Sequence, residues 1–132
     1  MSEWRWLAKD VILAIHDEQL AEHGGRPGLR DMGLLESALA RPVNRAAHAR
    51  TSVFDLAAAY AFGIVRNHPF FDGNKRVAFV AAALFLVEHD LEVTASDDAV
   101  VASMLSLADG SMDEGGFALW LRDNTVASGE TK

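Results

Sequence analysis

The chain has 132 residues and a mass of 14.3 kDa, enough for one hydrophobic core and little beyond it. Half of the residues are hydrophobic and 23% are charged, a balance that supports a packed core and excludes a disordered chain. A formal charge of -7 argues against broad nucleic-acid binding, and zero cysteines exclude disulfides, thiolate nucleophiles, iron–sulfur clusters and cysteine zinc sites. The opening residues show no basic stretch followed by an apolar run, so no secretory signal is expected and a cytoplasmic location is. Residues 6–23 carry Leu7, Val11, Ile12, Ile15 and Leu20 at the spacing of one helical face and predict a first helix. Gly24-Gly25-Arg26-Pro27-Gly28 stops it, because tandem glycines and a proline favour turn geometries. Asp31 is the expected N-cap of a short second helix through Leu34, Leu35, Ala38 and Leu39, ending near Pro42.

Residues 52–67 predict a third helix capped by Ser52 and interrupted by His68-Pro69. A fourth is expected from Asn74 to His89. Its middle, Val77 to Val87, is the longest apolar run of the chain and is far short of the ~18 residues that would span a membrane. An apolar stretch of this kind belongs to a buried central helix. Ser96 or Asp97 opens a fifth helix and Asp113 a sixth. Leu91-Glu92-Val93-Thr94 has strand character but no evident pairing partner. The expected architecture is all-α: a compact helical bundle forming a single domain over residues 1–124, with 125–132 as a flexible tail. Residues 1–85 hold ten Lys/Arg against nine Asp/Glu, and residues 86–132 hold two against ten, so an anion site is expected in the first two thirds.

The densest polar cluster, His68-Pro69-Phe70-Phe71-Asp72-Gly73-Asn74-Lys75-Arg76, lies between the two most apolar helices. A helix start offers unpaired N–H groups and the positive end of the helix dipole, and Gly73 lets backbone approach a ligand closely. Lys75 and Arg76 sit where that dipole disfavours cations, so a phosphate is the natural compensating group. Asp72 is placed to hold Mg2+ beside phosphates, and His68 to take a proton from a hydroxyl near neutral pH. Asn74 suits either a phosphate oxygen or a stitch within the loop, and Phe70 or Phe71 anchors the loop in the core. His16, His23, His48 and His89 stand singly and are read as solvated or structural, without a site role. Trp4, Trp6 and Trp120 are read as packing residues at the ends of the bundle.

The run from His68 to Arg76 resembles the signature of the Fic/Doc superfamily, His-x-Phe-x-Asp/Glu-Gly-Asn-Gly/Lys-Arg, without a gap. His16, Gly24 to Asp31, Leu35 to Ala38, Pro42 and Lys75 resemble its death-on-curing (Doc) branch, and the likeness spans about residues 7–123. The resemblance implies a helical bundle around the helix after the motif. It also implies His68 as the base that activates a target hydroxyl, Asp72 as the Mg2+ ligand, and Gly73, Asn74, Lys75 and Arg76 as the nucleotide-phosphate site. With lysine rather than glycine at position 75 it implies transfer of the terminal phosphoryl group of ATP. The alternatives are AMP transfer, which the glycine at position 73 also suits, and a catalytically silent module that binds an antitoxin. The implied role is that of a toxin in a toxin–antitoxin pair, modifying a threonine or serine of a protein such as elongation factor Tu and arresting growth. No segment matches the inhibitory pattern Ser/Thr-x-x-x-Glu-Gly/Asn, so restraint is expected from a separate antitoxin whose tail is disordered until bound. The loop from Gly24 to Asp31, with the helix after it, is the expected rim of the target or antitoxin groove.

Overall fold

A computed structural model describes residues 4–129. Among them six helices surround a common core, and one small antiparallel sheet closes an end. Helix α1 (Lys9–His23) starts later than its apolar spacing suggests, because the preceding residues run extended across the bundle. There the Leu7 N–H donates to the Tyr60 hydroxyl (2.9 Å), and Trp4 and Trp6 lie against Phe85 at 6.3 and 5.9 Å between ring centres. Burial pushes the Tyr60 phenol above its ordinary pKa, an effect opposed by the hydrogen bond from Leu7.

Helix α2 (Met32–His48) is capped by Asp31, whose carboxylate accepts from the Leu34 N–H, but it does not end near Pro42. Proline removes one helical hydrogen bond and crowds the preceding turn, at a cost of ~3 kcal/mol in a free helix. Here Pro42 is fully buried, and the residues around it are tied to other elements, with Arg41 and Arg45 paired to Glu114. Tertiary packing therefore carries the helix through the proline.

Helix α3 (Val53–Asn67) begins with a reciprocal capping box, in which Ser52 and Asp55 each bond the other's main-chain N–H. Every residue from Leu56 to Ala61 is fully buried. Helix α4 (Asn74–Glu88) packs on it, burying Val77, Ala78, Ala81, Ala82, Phe85 and Leu86. The centre of the bundle is thus shared by α3 and α4. Phe79 and Val80, on the outer side of α4, are half-buried and face a groove toward α5 (Asp97–Asp109). Ser96 caps α5, and Asp113 caps α6 (Glu114–Asp123).

Strand β1 (Leu91–Val93) does have a partner, β2 (Thr125–Ala127), with Leu91 opposite Ala127 and Val93 opposite Thr125. Residues 125–127, assigned from the sequence to the tail, are therefore strand, whereas 130–132 of that tail lie outside the described residues. No helix among the described residues is long and apolar enough to cross a membrane.

Candidate active site at the α3–α4 corner

The nine-residue run turns the chain from the end of α3 into the start of α4. His68 terminates α3 in the left-handed region (φ 53°, ψ 56°), a conformation that costs a non-glycine residue roughly 1–2 kcal/mol. The Arg30 guanidinium offsets this cost by donating to the two carbonyls that α3 leaves unpaired, His68 O (2.7 Å) and Asn67 O (3.0 Å). The chain on either side is zipped to the loop after α1. Arg30 and Asp31 N–H groups donate to Pro69 O (2.7 and 3.0 Å), Phe71 N–H donates to Gly28 O (3.3 Å), and Leu29 forms an antiparallel bridge with Phe70. This extended pairing sends neighbouring side chains to opposite sides, so Phe70 is fully buried and Phe71 faces outward beneath the Arg26 guanidinium at 3.9 Å.

Asn74, only 5% exposed, closes the turn. Its Oδ1 accepts from the Phe70 N–H (3.0 Å) and its Nδ2 donates to the Phe70 carbonyl (2.9 Å). Of the two uses open to this side chain, the structure shows the stitch, so Asn74 faces a ligand only through its main-chain N–H. The first main-chain bond of α4 runs from Val77 N–H to Gly73 O (3.0 Å), which leaves the N–H groups of Asn74, Lys75 and Arg76 without helical acceptors.

Asp72 is exposed, and its two carboxylate oxygens accept from the Arg26 N–H (3.1 Å) and the Gly73 N–H (2.9 Å). The Arg26 bond first, then the Gly73 bond, with weaker attraction from Arg76 and Lys75, hold this carboxyl below its usual pKa, so it stays ionised. Gly25 makes the approach possible: it has φ 122°, and a Cβ there would lie 2.8 Å from Asp72 Oδ2 and 3.1 Å from Leu20 Cδ2. Arg76 donates from Nη2 to Gly24 O (3.1 Å), while its Nε is buried with no acceptor among the described residues. The exposed His68 ring makes no hydrogen bond among the described residues, and Lys75 is exposed at the mouth of the groove beside α5, a cavity of about 660 Å³.

His68 and the Asp72–Arg76 segment are thus brought to one corner, His68 ending α3 and the rest opening α4. Four contributors escaped the sequence reading. Arg30 and the Arg26 N–H act at long range, and with Gly25 they were read only as part of the Gly24–Asp31 segment, without a role at the motif. His16, read as solvated or structural, is buried on α1, stacks on Phe70 and lies 3.0 Å from Asp72 O. Its signals were a histidine on an apolar face next to Ile12 and Ile15 and its place in the resemblance to the Doc branch. The Gly24–Asp31 loop, expected as a groove rim, lies against the motif itself.

The donor set fits Mg2+ and a polyphosphate. Mg2+ commonly takes one or two carboxylates plus phosphate oxygens and water, and Asp72 is a single ionised carboxylate. Among the described residues no group of three or more His, Asp or Glu forms a closed cage. Arg76 Nε, without an acceptor among the described residues, and the N–H groups of α4 that lack helical acceptors would supply the phosphate side.

The sequence model of the Fic/DOC family matches residues 6–86, which include the whole motif. "Protein kinase doc" of Escherichia phage P1 is 34% identical over 90 residues, covering 67% of this chain and 71% of that protein. "Toxin Doc" of Mycolicibacterium smegmatis is 40% identical over 77 residues, covering 57% of this chain and 59% of the relative.

Proposed function

From the premise that the chain belongs to the Fic/DOC family, we propose that it is a toxin of a toxin–antitoxin pair and moves the terminal phosphoryl group of ATP onto a serine or threonine hydroxyl of a protein. The observation that carries this reading is an unmet demand for an anion. A buried Arg76 Nε–H without an acceptor among the described residues stands with three open N–H groups and Lys75 in the first turn of a helix, where cations are disfavoured unless a negative ligand is present. The name of the phage P1 relative supports a kinase, and that of the mycobacterial relative supports a toxin. Lys75 also supports phosphoryl over AMP transfer, because its side chain fills room that a glycine would leave open.

Asn74, Lys75 and Arg76 bind and orient the triphosphate through main-chain N–H groups and two cationic side chains, and Gly73 lets the main chain approach it closely. Asp72, kept ionised by its two N–H donors, would hold Mg2+, and the ion would supply neutralisation of phosphate charge when bound. His68 receives the proton of the target hydroxyl as that oxygen forms its bond to the terminal phosphorus. The bond from this phosphorus to the bridging oxygen breaks, ADP leaves, and the imidazolium returns its proton to water. A separate antitoxin, with a tail disordered until bound, restrains the enzyme, and elongation factor Tu is the first protein target to try.

The test incubates the protein with Mg2+, bacterial lysate and ATP labelled at the alpha or the gamma phosphate. Gamma label is expected on a protein band and is lost in H68A, with a fall of at least ~100-fold, in line with removal of a general base. Growth arrest on expression should disappear in the same variant while thermal unfolding stays unchanged. Alpha label on protein would overturn phosphoryl transfer in favour of AMP transfer. Growth arrest that persists in H68A would leave a silent binding module.

A further inference from the structure

We propose that His16 is a positioning residue: it latches the Asp72–Gly73 peptide in the one orientation that leaves the phosphate cradle receptive to an anion. This deepens the phosphoryl-transfer reading and rests on it. A histidine only 3% exposed on the buried face of α1 needs a partner, and the structure supplies two. Its ring lies parallel to Phe70, 3.8 Å between centres and 10° between planes, so a fully buried aromatic fixes the plane of the imidazole. In that plane Nε2 reaches the Asp72 carbonyl oxygen at 3.0 Å. A carbonyl can only accept, so Nε2 carries the proton.

The consequence follows from the planarity of the peptide bond. In a trans peptide the C=O and N–H point in opposite directions, so a carbonyl drawn toward α1 forces the Gly73 N–H to face the other way, where it meets Asp72 Oδ1 at 2.9 Å. Glycine is the residue least able to hold this orientation alone. At φ 80° Gly73 is sterically free to let the peptide turn over. The reversed peptide would present its carbonyl oxygen on the side the N–H now faces, and would repel phosphate there. The imidazole also backs the glycine directly, with Cδ2 and Nε2 at 3.8 and 3.9 Å from where a Cβ would stand.

H16F keeps an aromatic ring against Phe70 but removes the donor. H16Q restores an N–H near the position of Nε2, and H16N, too short to reach, serves as a second loss variant should H16F fail to fold. In ligand-free protein, long-range proton–nitrogen spectra should show the Nε2–H tautomer, and amide exchange at Gly73 should accelerate at least about tenfold in H16F, as loss of one hydrogen bond predicts. Calorimetric affinity for MgATP should weaken by a similar factor of about ten, with H16Q within about threefold of the parent. The opposite tautomer, unchanged Gly73 exchange in folded loss variants, or failure of H16Q to rescue would overturn the latch. A parent protein that takes up no MgATP would overturn the functional reading instead, since the tautomer and exchange measurements judge the latch without nucleotide.

Discussion

Asn74 shows how one side chain can hold the turn between α3 and α4 from within the protein. Its amide satisfies both the N–H and the carbonyl of Phe70 inside the protein, where water cannot replace it. Asn74→Ala leaves two buried main-chain groups unpaired, each worth ~1–3 kcal/mol, so a loss of about 2–4 kcal/mol in urea unfolding is expected together with loss of transfer. A deficit under ~1 kcal/mol would mean that the loop holds itself by other means. The sequence displayed the motif in full but could not choose between two uses of Asn74, nor between Phe70 and Phe71 as the anchor. Both choices depend on the extended pairing of Leu29 with Phe70, a contact between segments forty residues apart. The same long-range character hid Arg30, whose guanidinium stabilises the strained His68 from a different loop.

Helix boundaries set by capping were legible because the chemistry is local: Asp31, Ser52, Ser96 and Asp113 each accept from a main-chain N–H at the start of a helix. The end of α2 was not legible, because a local rule about proline yielded to burial of Pro42 and to the ties of Arg41 and Arg45 with Glu114. Contact between α2 and α3 depends on another residue that periodicity does not reveal. A Cβ at Gly63 would lie 3.1 Å from the Ala38 carbonyl oxygen and 3.2 Å from its Cα. Gly63→Ala sets two effects against each other: a helix gain of ~1 kcal/mol from alanine and an overpacking cost of ~1–3 kcal/mol. The clash is with main chain, which cannot swing aside, so the cost should win and the urea midpoint should fall. A rise in the midpoint would show that the two helices separate freely at this point. Because α3 carries His68 at its far end, a shift of this helix should also lower the rate of phosphoryl transfer.

At the scale of the whole molecule, α4 joins two ends of the bundle. Its N-terminus opens the proposed phosphate corner, and its C-terminus leads through His89 and Asp90 into β1, which pairs with β2 near the end of the described chain. Fifteen helical residues put these ends ~22 Å apart. The sequence shows strand character at 91–94 but not its partner, because a three-residue strand has too few positions to show alternation and α5 and α6 separate the two strands in the chain. Leu91 and Val93 are half-buried on β1, and Ser128 N–H adds a bond to Asp90 O (2.9 Å). Ending the chain after Asn124 removes β2 and the Ser128 bond but keeps the bond from Thr94 N–H to Asn124 O (2.7 Å). Exposing the paired edge and part of two side chains should cost about 1–2 kcal/mol, seen as a melting temperature lower by roughly 3–10 °C with helical circular dichroism retained. Transfer of gamma label at 25 °C should match that of the full chain, because every group assigned to the phosphate corner lies at the other end of α4. A truncated protein that stays folded yet loses transfer would show that the sheet end and the phosphate end of this helix are coupled, and that the corner does not act as a self-contained site.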